Sequence, residues 1–333
     1  MLLNQALNAV LDNEEENIQV LHLVTPSEML RAGLKLLGFT KKQYQNGRER
    51  NLSVNHNRFK SALGATPLVL CTIYEDLQKS TIVDDGFEVK LTGNDIKLKF
   101  FLVSFHFLRK YPTESDRQFI FNCSDHHTRD QVWDILRRIQ CLKATKITWP
   151  DDLGGDDIWI MTVDGTHCAV EEPNHSIWSQ DREYYSHKYN RAGINYELGI
   201  SIAENKLIWM NGPFKAGKND VSIFTKHGLK NRLLNLKKKA IGDGGYHGHY
   251  NCIFTPNAHH SKTVRTFKSG ALKRHETFNS RTKVFEILRQ RFRNDVKTRF
   301  PIVFESICVI CQYKIEYKAP LFDLLVEDLI YID

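Results

Sequence analysis

The sequence predicts an α/β protein in which a helical N-terminal part precedes a mixed sheet flanked by helices. Between residues 96 and 147, apolar residues recur at helical spacing in three segments separated by short turns. Beyond a loop at residues 149–155, short runs rich in β-branched and aromatic residues alternate with further helical segments, as in α/β domains. The predicted parts are an N-terminal region of unassigned role, partly helical (1–95), a helical domain (96–150), a sheet-containing domain (155–318) and a tail (319–333).

Composition and charge exclude several classes of protein. The chain has 333 residues, of which 41% are hydrophobic and 26% charged, as in an ordinary globular protein. It contains no run of about 18 apolar residues, so we expect no membrane span. The N-terminus is acidic and lacks the basic start of a signal peptide, and the seven cysteines are scattered, so we expect a reducing compartment.

The three helical segments of the 96–150 domain have the spacing of a helix-turn-helix. They run over about residues 96–110, 113–121 and 125–142, and the second opens with a sequence typical of a capping box. The third is longer and basic, so Arg129 and Arg137 are candidate DNA contacts. Any small helical bundle gives the same spacing, so a purely structural role stays open. Four residues form the predicted buried face of the third helix: Val132, Ile135, Leu136 and Ile139.

Two short apolar runs of the sheet-containing part end on an aspartate followed by glycine. Residues 157–164 are predicted to form a strand that ends at Asp164, and a strand at 240–243 ends at Asp243. Residues 194–202 and 206–210 form a predicted hairpin between them, and a helix capped by Asn219 or Asp220 is predicted from about residue 221 to 236. Most Asp-Gly pairs at strand ends are turns. An ionised carboxylate next to a buried strand is nevertheless costly unless it is paired, solvated or bound to a metal.

A basic helix is predicted toward the C-terminus, after a loop that ends near Gly270. On a helical wheel, Glu276 lies in its first turn, beside Lys283 and opposite an apolar stripe, and so can face a cleft. Residues 262–300 hold twelve Lys or Arg against three acidic residues. Such an excess favours a polyanion-binding surface, although a solvated helix face is the alternative. The predicted stripe consists of Phe278, Phe285, Leu288 and Phe292.

Three sequence blocks resemble those of the DDE transposases of the PIF/Harbinger type. The blocks are Asp164-Gly-Thr-His, Gly242-Asp243-Gly-Gly-Tyr and Glu276-x-x-Asn-x-Arg-x-Lys-x-Phe. Residues 186–189, 196–201 and 212–220 are similar to the middle of that family. The resemblance covers about residues 96–318. It departs from the commonest third block at Ser280 and Thr282, neither of which is a carboxylate.

The resemblance implies a ribonuclease-H-like fold and metal-dependent cutting and joining of DNA. Asp164, Asp243 and Glu276 are then the catalytic residues and metal ligands. Hard carboxylate oxygens suit two Mg²⁺ (or Mn²⁺) ions, with Asp164 bridging both and each other carboxylate holding one. Lys188, Arg281 and Lys283 are candidates to meet DNA phosphates.

The resemblance also implies partners and a location. We expect transposon-end and target DNA as substrates, a homo-oligomer, a Myb-like accessory protein and a nuclear location. Two alternatives stay open: a DNA-binding protein derived from a transposase, and a host nuclease that cuts without transposing.

Overall fold

The structure is a computed structural model that describes residues 24–39, 49–79, 81–84, 87–90, 96–150, 158–171, 182–255 and 257–324. Before residue 150 it contains α1 (Pro26–Leu36), α2 (Glu49–Leu63), α3 (Pro67–Lys79), β1 (Thr81–Asp84), β2 (Phe87–Lys90), α4 (Leu98–Lys110), α5 (Glu114–Phe121), α6 (Asp125–Cys141) and α7 (Lys143–Lys146). The three helices predicted between residues 96 and 142 are therefore confirmed as α4, α5 and α6. Thr113 and Asp116 form the predicted capping box of α5.

The second part is a six-stranded mixed sheet with helices on it. Its elements are β3 (Trp159–Ala169), β4 (Tyr185–Ser186), β5 (Arg191–Ser201), β6 (Leu207–Lys215), α8 (Asp220–Lys226), α9 (Leu229–Asn235), β7 (Lys239–Ile241), β8 (Ile253–Phe254), α10 (Lys262–Thr282), α11 (Glu286–Arg289) and α12 (Arg299–Tyr317). The strand order is β6–β5–β3–β7–β8, with β4 also paired to β5. Strand β3 is antiparallel to β5 and parallel to β7, and β7 is parallel to β8.

The hydrophobic core is continuous between the N-terminal helices and the sheet. One cluster of buried residues includes α3, α4 and α6, one face of β5, and almost all of α12. The Ser306 hydroxyl on α12 donates to the Leu136 carbonyl of α6 at 2.7 Å, and the Tyr196 ring of β5 stacks on Phe304 at 4.0 Å. The predicted buried face of α6 is confirmed, since all four of its residues are buried. Residues 151–155 of the predicted boundary loop (149–155) and the tail from residue 325 lie outside the described residues.

Strand β3 is longer than predicted, and this corrects the position of Asp164. The strand was expected to end at this residue, but it continues to Ala169 because β5 pairs with it without interruption as far as Ala169↔Gly193. Asp164 therefore lies in the middle of the strand, opposite Leu198 of β5. The second predicted strand is shorter than expected, since β7 ends at Ile241 and Asp243 follows it by two residues.

Two predicted helices have different bounds in the structure. The helix expected from residue 221 to 236 is divided into α8 and α9 at Gly228, whose φ of 103° is unfavourable for other residues. The basic helix begins at Lys262, so Glu276 lies well inside it rather than in its first turn. It ends at Thr282, whose hydroxyl bonds the Asn279 carbonyl at 2.8 Å. The four residues of the predicted stripe are all buried, but they belong to α10, to α11 and to the segments that follow each.

No helix of the described part of the chain is long and apolar enough to cross a membrane.

Candidate functional site

Asp164 and Asp243 are brought side by side by neighbouring parallel strands. The register pairs Thr162 of β3 with Ile241, the last residue of β7. Asp164 follows Thr162 by two residues, and Asp243 follows Ile241 by two residues. Both aspartates therefore lie at the carboxyl end of β7. Strand β7 ends before Asp243, which leaves the β7 side of Asp164 without a paired strand in the register. A polar ligand can therefore approach Asp164 from the carboxyl end of β7, although Asp164 lies in the middle of β3.

Backbone amides orient both carboxylates. The amide of Gly165 donates to Asp164 Oδ1 at 2.8 Å, and the amide of Gly245 donates to Asp243 Oδ1 at 2.8 Å. Asp243 is also the N-cap of the short 3₁₀ turn Gly244–Tyr246. Each oriented carboxylate retains further lone pairs that can bind a cation.

A third aspartate, Asp220, belongs to the same group. It is the first residue of α8, and Asn219 caps this helix by accepting the Ser222 amide at 2.8 Å. The Asp220 carboxylate lies against the backbone of Gly165, where an added Cβ would be only 2.8 Å from its Cγ. A side chain at residue 165 would therefore displace Asp220.

Burial and neighbouring negative charge disfavour the ionised forms of Asp164 and Asp220. Burial raises the pKa of Asp164 from 3.8 to about 7, and the charges of Asp220 and then Asp243 act in the same direction, while Lys188 opposes them. Burial also raises the pKa of Asp220, again opposed by Lys188. Negative charge concentrated in this way attracts a cation, because a cation relieves both the repulsion and the cost of burial.

Two buried polar groups lie behind the aspartates. Glu197 of β5 is 1% exposed and accepts the Trp209 indole N–H at 2.9 Å, and burial raises its pKa to about 7. Tyr246 is fully buried, and burial raises its pKa, with the charge of Asp220 as the next cause. Within the part of the chain that the structure describes, Glu197 Oε1 and the Tyr246 hydroxyl have no hydrogen-bond partner. These groups make the site polar below its surface.

Helix α10 lies across β3, but the side chain of Glu276 is apart from the aspartates. His275 Nδ1 is 3.0 Å from the Thr162 hydroxyl, and Asn279 Nδ2 donates to Asp164 Oδ2 at 3.4 Å. Glu276 is exposed and lines an open cleft of about 710 Å³ together with Asn279 and Lys283. The structure therefore brings Asp164 and Asp243 together, whereas Glu276 lies one helical turn from the asparagine that contacts Asp164.

The three predicted DNA contacts near the sheet differ in how far their charged groups are exposed to solvent. Lys188 is exposed and close enough to the aspartates to lower the pKa of Asp164 and of Asp220. Lys283 is exposed in the cleft beside Glu276. The guanidinium of Arg281 instead donates to the carbonyls of Ala319 and Pro320, so it fastens the segment after α12 rather than facing solvent freely.

The two predicted contacts on α6 lie elsewhere on the molecule. Arg129 is half-buried and 3.6 Å from Glu114 of α5, which takes up part of its charge. Arg137 is exposed and lines a shallow cleft with Arg299 of α12. Of these two, only Arg137 therefore presents an exposed side chain.

The donor chemistry fits a divalent metal ion, although the ligands are not closed around one. Carboxylate oxygens are the ligands that Mg²⁺ and Mn²⁺ prefer. Over the residues described, no three His, Cys, Asp or Glu side chains are arranged to hold one ion together. Mg²⁺ usually keeps several waters and takes one or two carboxylates plus substrate phosphates, which is compatible with the adjacent pair Asp164 and Asp243.

Sequence reasoning missed Asp220, Glu197, Asn279 and Tyr246. Asp220 was explained as a helix-capping residue, which is a sufficient local reason for an acidic side chain there. Glu197 carried a signal that could have been used, because it interrupts an otherwise apolar strand in the same way as Asp164. Asn279 and Tyr246 belong to the blocks of the resemblance but received no role, since their contacts depend on how α10 and the Gly244–Tyr246 turn pack against β3.

One family model matches most of this second part. No curated protein and no solved structure matches the chain. Residues 163–312 match the model of the DDE superfamily endonucleases, a family that acts on DNA and generally uses divalent metal ions. The match includes all three predicted catalytic carboxylates, and it supports assignment of residues 163–312 to the DDE endonuclease superfamily.

Proposed function

We propose that this protein is a DNA transposase of the PIF/Harbinger type, which cuts and joins transposon-end DNA by metal-dependent phosphoryl transfer. The observation that carries the proposal is the pair formed by Asp164 and Asp243 at the carboxyl end of β7. Burial, and then the charges of Asp220 and Asp243, raise the pKa of Asp164 to about 7. A group of half-buried acids without a matching set of cations is typical of a site that binds a metal ion and a phosphate.

The order of the strands supports a ribonuclease-H-like arrangement. In this sheet, three antiparallel strands (β6, β5 and β3) are followed by two parallel ones (β7 and β8). A long helix, α10, packs against β3. The first acidic residue lies on the central strand, the second follows the adjacent parallel strand and the third is on the helix. In this arrangement the catalytic residues come from three separate elements of one sheet domain.

Asp164, Asp243 and Glu276 are the proposed ligands, with Asp220 as an additional carboxylate. These carboxylates would hold two divalent ions, which would supply activation of the attacking oxygen and stabilisation of the leaving oxygen in an in-line displacement. Asn279 holds Asp164 Oδ2 in place, and the backbone amides of Gly165 and Gly245 orient the two aspartates. Lys188 supplies positive charge for the DNA phosphate. Water as the nucleophile gives strand cleavage, and a DNA 3′-hydroxyl gives strand transfer.

The exposed basic residues of the second half of the chain support DNA as the polyanion. The predicted excess of basic residues at 262–300 is only partly available, because Lys268 and Arg274 are buried and Arg281 is bonded to backbone carbonyls. Exposed basic residues of this stretch include Lys262, Arg265, Lys273, Lys283, Arg289 and Arg291. We include Arg129 and Arg137 on α6 as weaker candidates within a helix-turn-helix-like region. A homo-oligomer, a Myb-like accessory protein and a nuclear location belong to the same proposal.

A DNA-binding protein derived from a transposase is the second candidate. The observation that favours it is the separation of Glu276 from the aspartates, since a chain that no longer cuts DNA does not need its third ligand in place. The two candidates differ in the DNA around the gene. Terminal inverted repeats and excision in cells support the transposase, whereas sequence-specific binding without either supports the second candidate.

The proposal is tested by a cleavage assay on DNA from the flanks of the gene, with Mg²⁺ or Mn²⁺ and with EDTA as the control. We expect nicking by the wild-type protein that requires the metal ion and that Asp243→Ala removes. Equal cleavage by wild-type protein and Asp243→Ala contradicts the assignment of this carboxylate.

A further inference from the structure

A small cavity opens beside the carboxylates, and the hairpin between β4 and β5 forms one of its walls. The cavity has a volume of about 260 Å³. Its lining includes Gly165, His167, Lys188, Tyr189, Lys218 and Asp220. Because Gly165 follows Asp164 directly and Asp220 is one of the grouped aspartates, whatever occupies this cavity is adjacent to the proposed reaction centre.

The hairpin presents aromatic and basic side chains to solvent. Tyr185 and Tyr189 are 37% and 40% exposed, and Lys188 and Arg191 are exposed as well. Asn190 has a φ of 49°, a left-handed conformation that asparagine tolerates, and it closes the turn before β5. Exposed aromatic rings interleaved with cations are the combination that proteins use to hold single-stranded nucleic acid.

The Tyr189 ring is supported from inside the protein. It stacks on His167 with ring centroids 4.3 Å apart and an interplanar angle of 16°. Asn195 Nδ2 donates to the Lys218 carbonyl at 3.1 Å, so its Oδ1 accepts from His167 Nδ1, also at 3.1 Å. The imidazole is thereby fixed in orientation, and it supports one face of the tyrosine ring. Lys188 Nζ lies over the same ring, so a second stacking partner meets this flexible, exposed side chain.

The size and charge of the cavity indicate what that partner is. Its volume is below the roughly 300–1,000 Å³ of pockets for drug-sized ligands, so it suits one small planar group and excludes a double helix. Lys188 and Lys218 supply positive charge beside the aromatic ring, with Lys188 Nζ 5.5 Å from the Tyr189 ring centroid. A ring for stacking with cations beside it matches a nucleobase and its phosphate.

We propose that Tyr189 and this cavity bind one unpaired nucleotide of the DNA strand next to the phosphodiester on which the carboxylates act. This inference rests on the proposed function, since it assigns the position of the substrate at that site. Stacking on a tyrosine face depends little on base identity, so the cavity holds the nucleotide without reading its sequence. The unpaired nucleotide fixes the strand next to the reaction centre.

The test measures DNA binding without divalent ions, so that it does not depend on cleavage. The probes are a duplex with a short single-stranded extension and the matching blunt duplex. Tyr189→Ala is expected to weaken binding of the extended duplex on the order of tenfold, while binding of the blunt duplex changes little. Tyr189→Phe retains the ring and is expected to bind as the wild type does.

Tyr317→Ala is the matched control, because Tyr317 is also 40% exposed but lies on α12 outside the cavity. We expect this variant to bind both probes as the wild type does. The inference is overturned if Tyr189→Ala binds the extended duplex with wild-type affinity, or if Tyr317→Ala or Tyr189→Phe loses as much as Tyr189→Ala.

The same proteins separate this inference from the proposed function. If the wild type cleaves DNA with Mg²⁺ but Tyr189→Ala keeps its affinity for the extended duplex, the inference fails and the proposed function stands. If the loss depends on Tyr189 as expected but no protein cleaves DNA with any divalent ion, the proposed function fails and the nucleotide site stands.

Discussion

Gly165 determines where the carboxylate of Asp220 can lie. The sequence indicated a turn or a strand end at Asp164-Gly165, because the apolar run stops there. In the structure the strand continues, and the missing side chain of Gly165 makes room for the Asp220 carboxylate. A pairing over the full length of β5 and a contact from α8 are both long-range effects, and local sequence patterns do not contain them.

Substitution of Gly165 tests whether the position of Asp220 matters. Gly165→Ala is expected to displace the Asp220 carboxylate, to reduce metal-dependent DNA cleavage on the order of tenfold and to destabilise the protein by about 1–3 kcal/mol. Cleavage rates and chemical denaturation measure the two effects. Gly244→Ala is the control, because the nearest atom to an added Cβ there is 3.6 Å away. Equal cleavage by both variants would show that the contact between residues 165 and 220 has no functional consequence.

The carboxylates themselves differ in how they are expected to respond to neutralisation. Asp220→Asn removes a charge that raises the pKa of Asp164, so the metal-free protein is expected to keep or gain thermal stability. The same change is expected to weaken Mn²⁺ binding on the order of tenfold, measured by calorimetry. Glu276→Gln, whose side chain is exposed, is expected to have a smaller effect on Mn²⁺ binding without DNA. The opposite order of the two variants would contradict the grouping of the aspartates.

At the scale of elements, helical periodicity predicted more than strand patterns did. The bounds of α4, α5 and α6 are close to the prediction because each has a cap or a stop of its own, such as the capping box of α5. Helix α10 was placed too late, since its first two turns are polar and basic and resembled a loop. Its N-cap is Ser261, which accepts the Val264 amide at 3.3 Å. Glu276 was still recognised, because its position opposite the buried face depends on spacing within the helix alone.

Arg281 and Lys283 were both predicted to meet DNA, and the structure gives them different roles. Arg281→Ala is expected to lower the free energy of unfolding by about 2 kcal/mol, because its guanidinium bonds two carbonyls after α12. Lys283→Ala is expected to leave stability unchanged and to weaken DNA binding in a salt-dependent way. Denaturation and binding titrations at two salt concentrations measure both. A stable Arg281→Ala protein with weakened DNA binding would restore the original prediction for this residue.

The helical part of the molecule is expected to lose stability in acid through His106 of α4. Burial, and then the charge of Lys110, lower the pKa of His106 from 6.5 to about 4, and its ring contacts Phe121 edge-on at 5.0 Å. In the unfolded chain the imidazole of His106 is protonated as the pH falls below about 6.5, whereas in the folded protein its pKa of about 4 keeps it neutral until near pH 4. The contribution of this group is therefore present above pH 6.5 and is lost as the pH falls toward 4.

His106→Leu tests this contribution to acid sensitivity. The difference in the free energy of unfolding between pH 7.5 and pH 4.5 is expected to be smaller in the variant, by at most about 3 kcal/mol. Urea denaturation at both pH values measures it. An unchanged difference would mean that other groups account for the acid sensitivity.

At the scale of the whole molecule, the spacing of apolar residues and the strand-like runs predicted the α/β class, and the resemblance supplied the expectation of an endonuclease. Buried residues of both parts form one core, in which α12, which follows the sheet in sequence, packs against α6. Contacts between segments so distant in sequence leave no local pattern from which they could be read. The charge of the sequence also overstates the basic surface. Arg274 and Arg281 of α10 donate to backbone carbonyls and so stabilise the fold.

The central claim is that the carboxylate pair at the end of β7 catalyses metal-dependent cleavage of DNA. It is tested most directly by comparing wild-type protein with Asp164→Asn in one experiment that measures both Mg²⁺-dependent nicking of transposon-end DNA and affinity for that DNA. We predict that the variant loses nicking by at least about a thousandfold and binds the DNA as tightly as the wild type does. Undiminished nicking by Asp164→Asn would contradict the account.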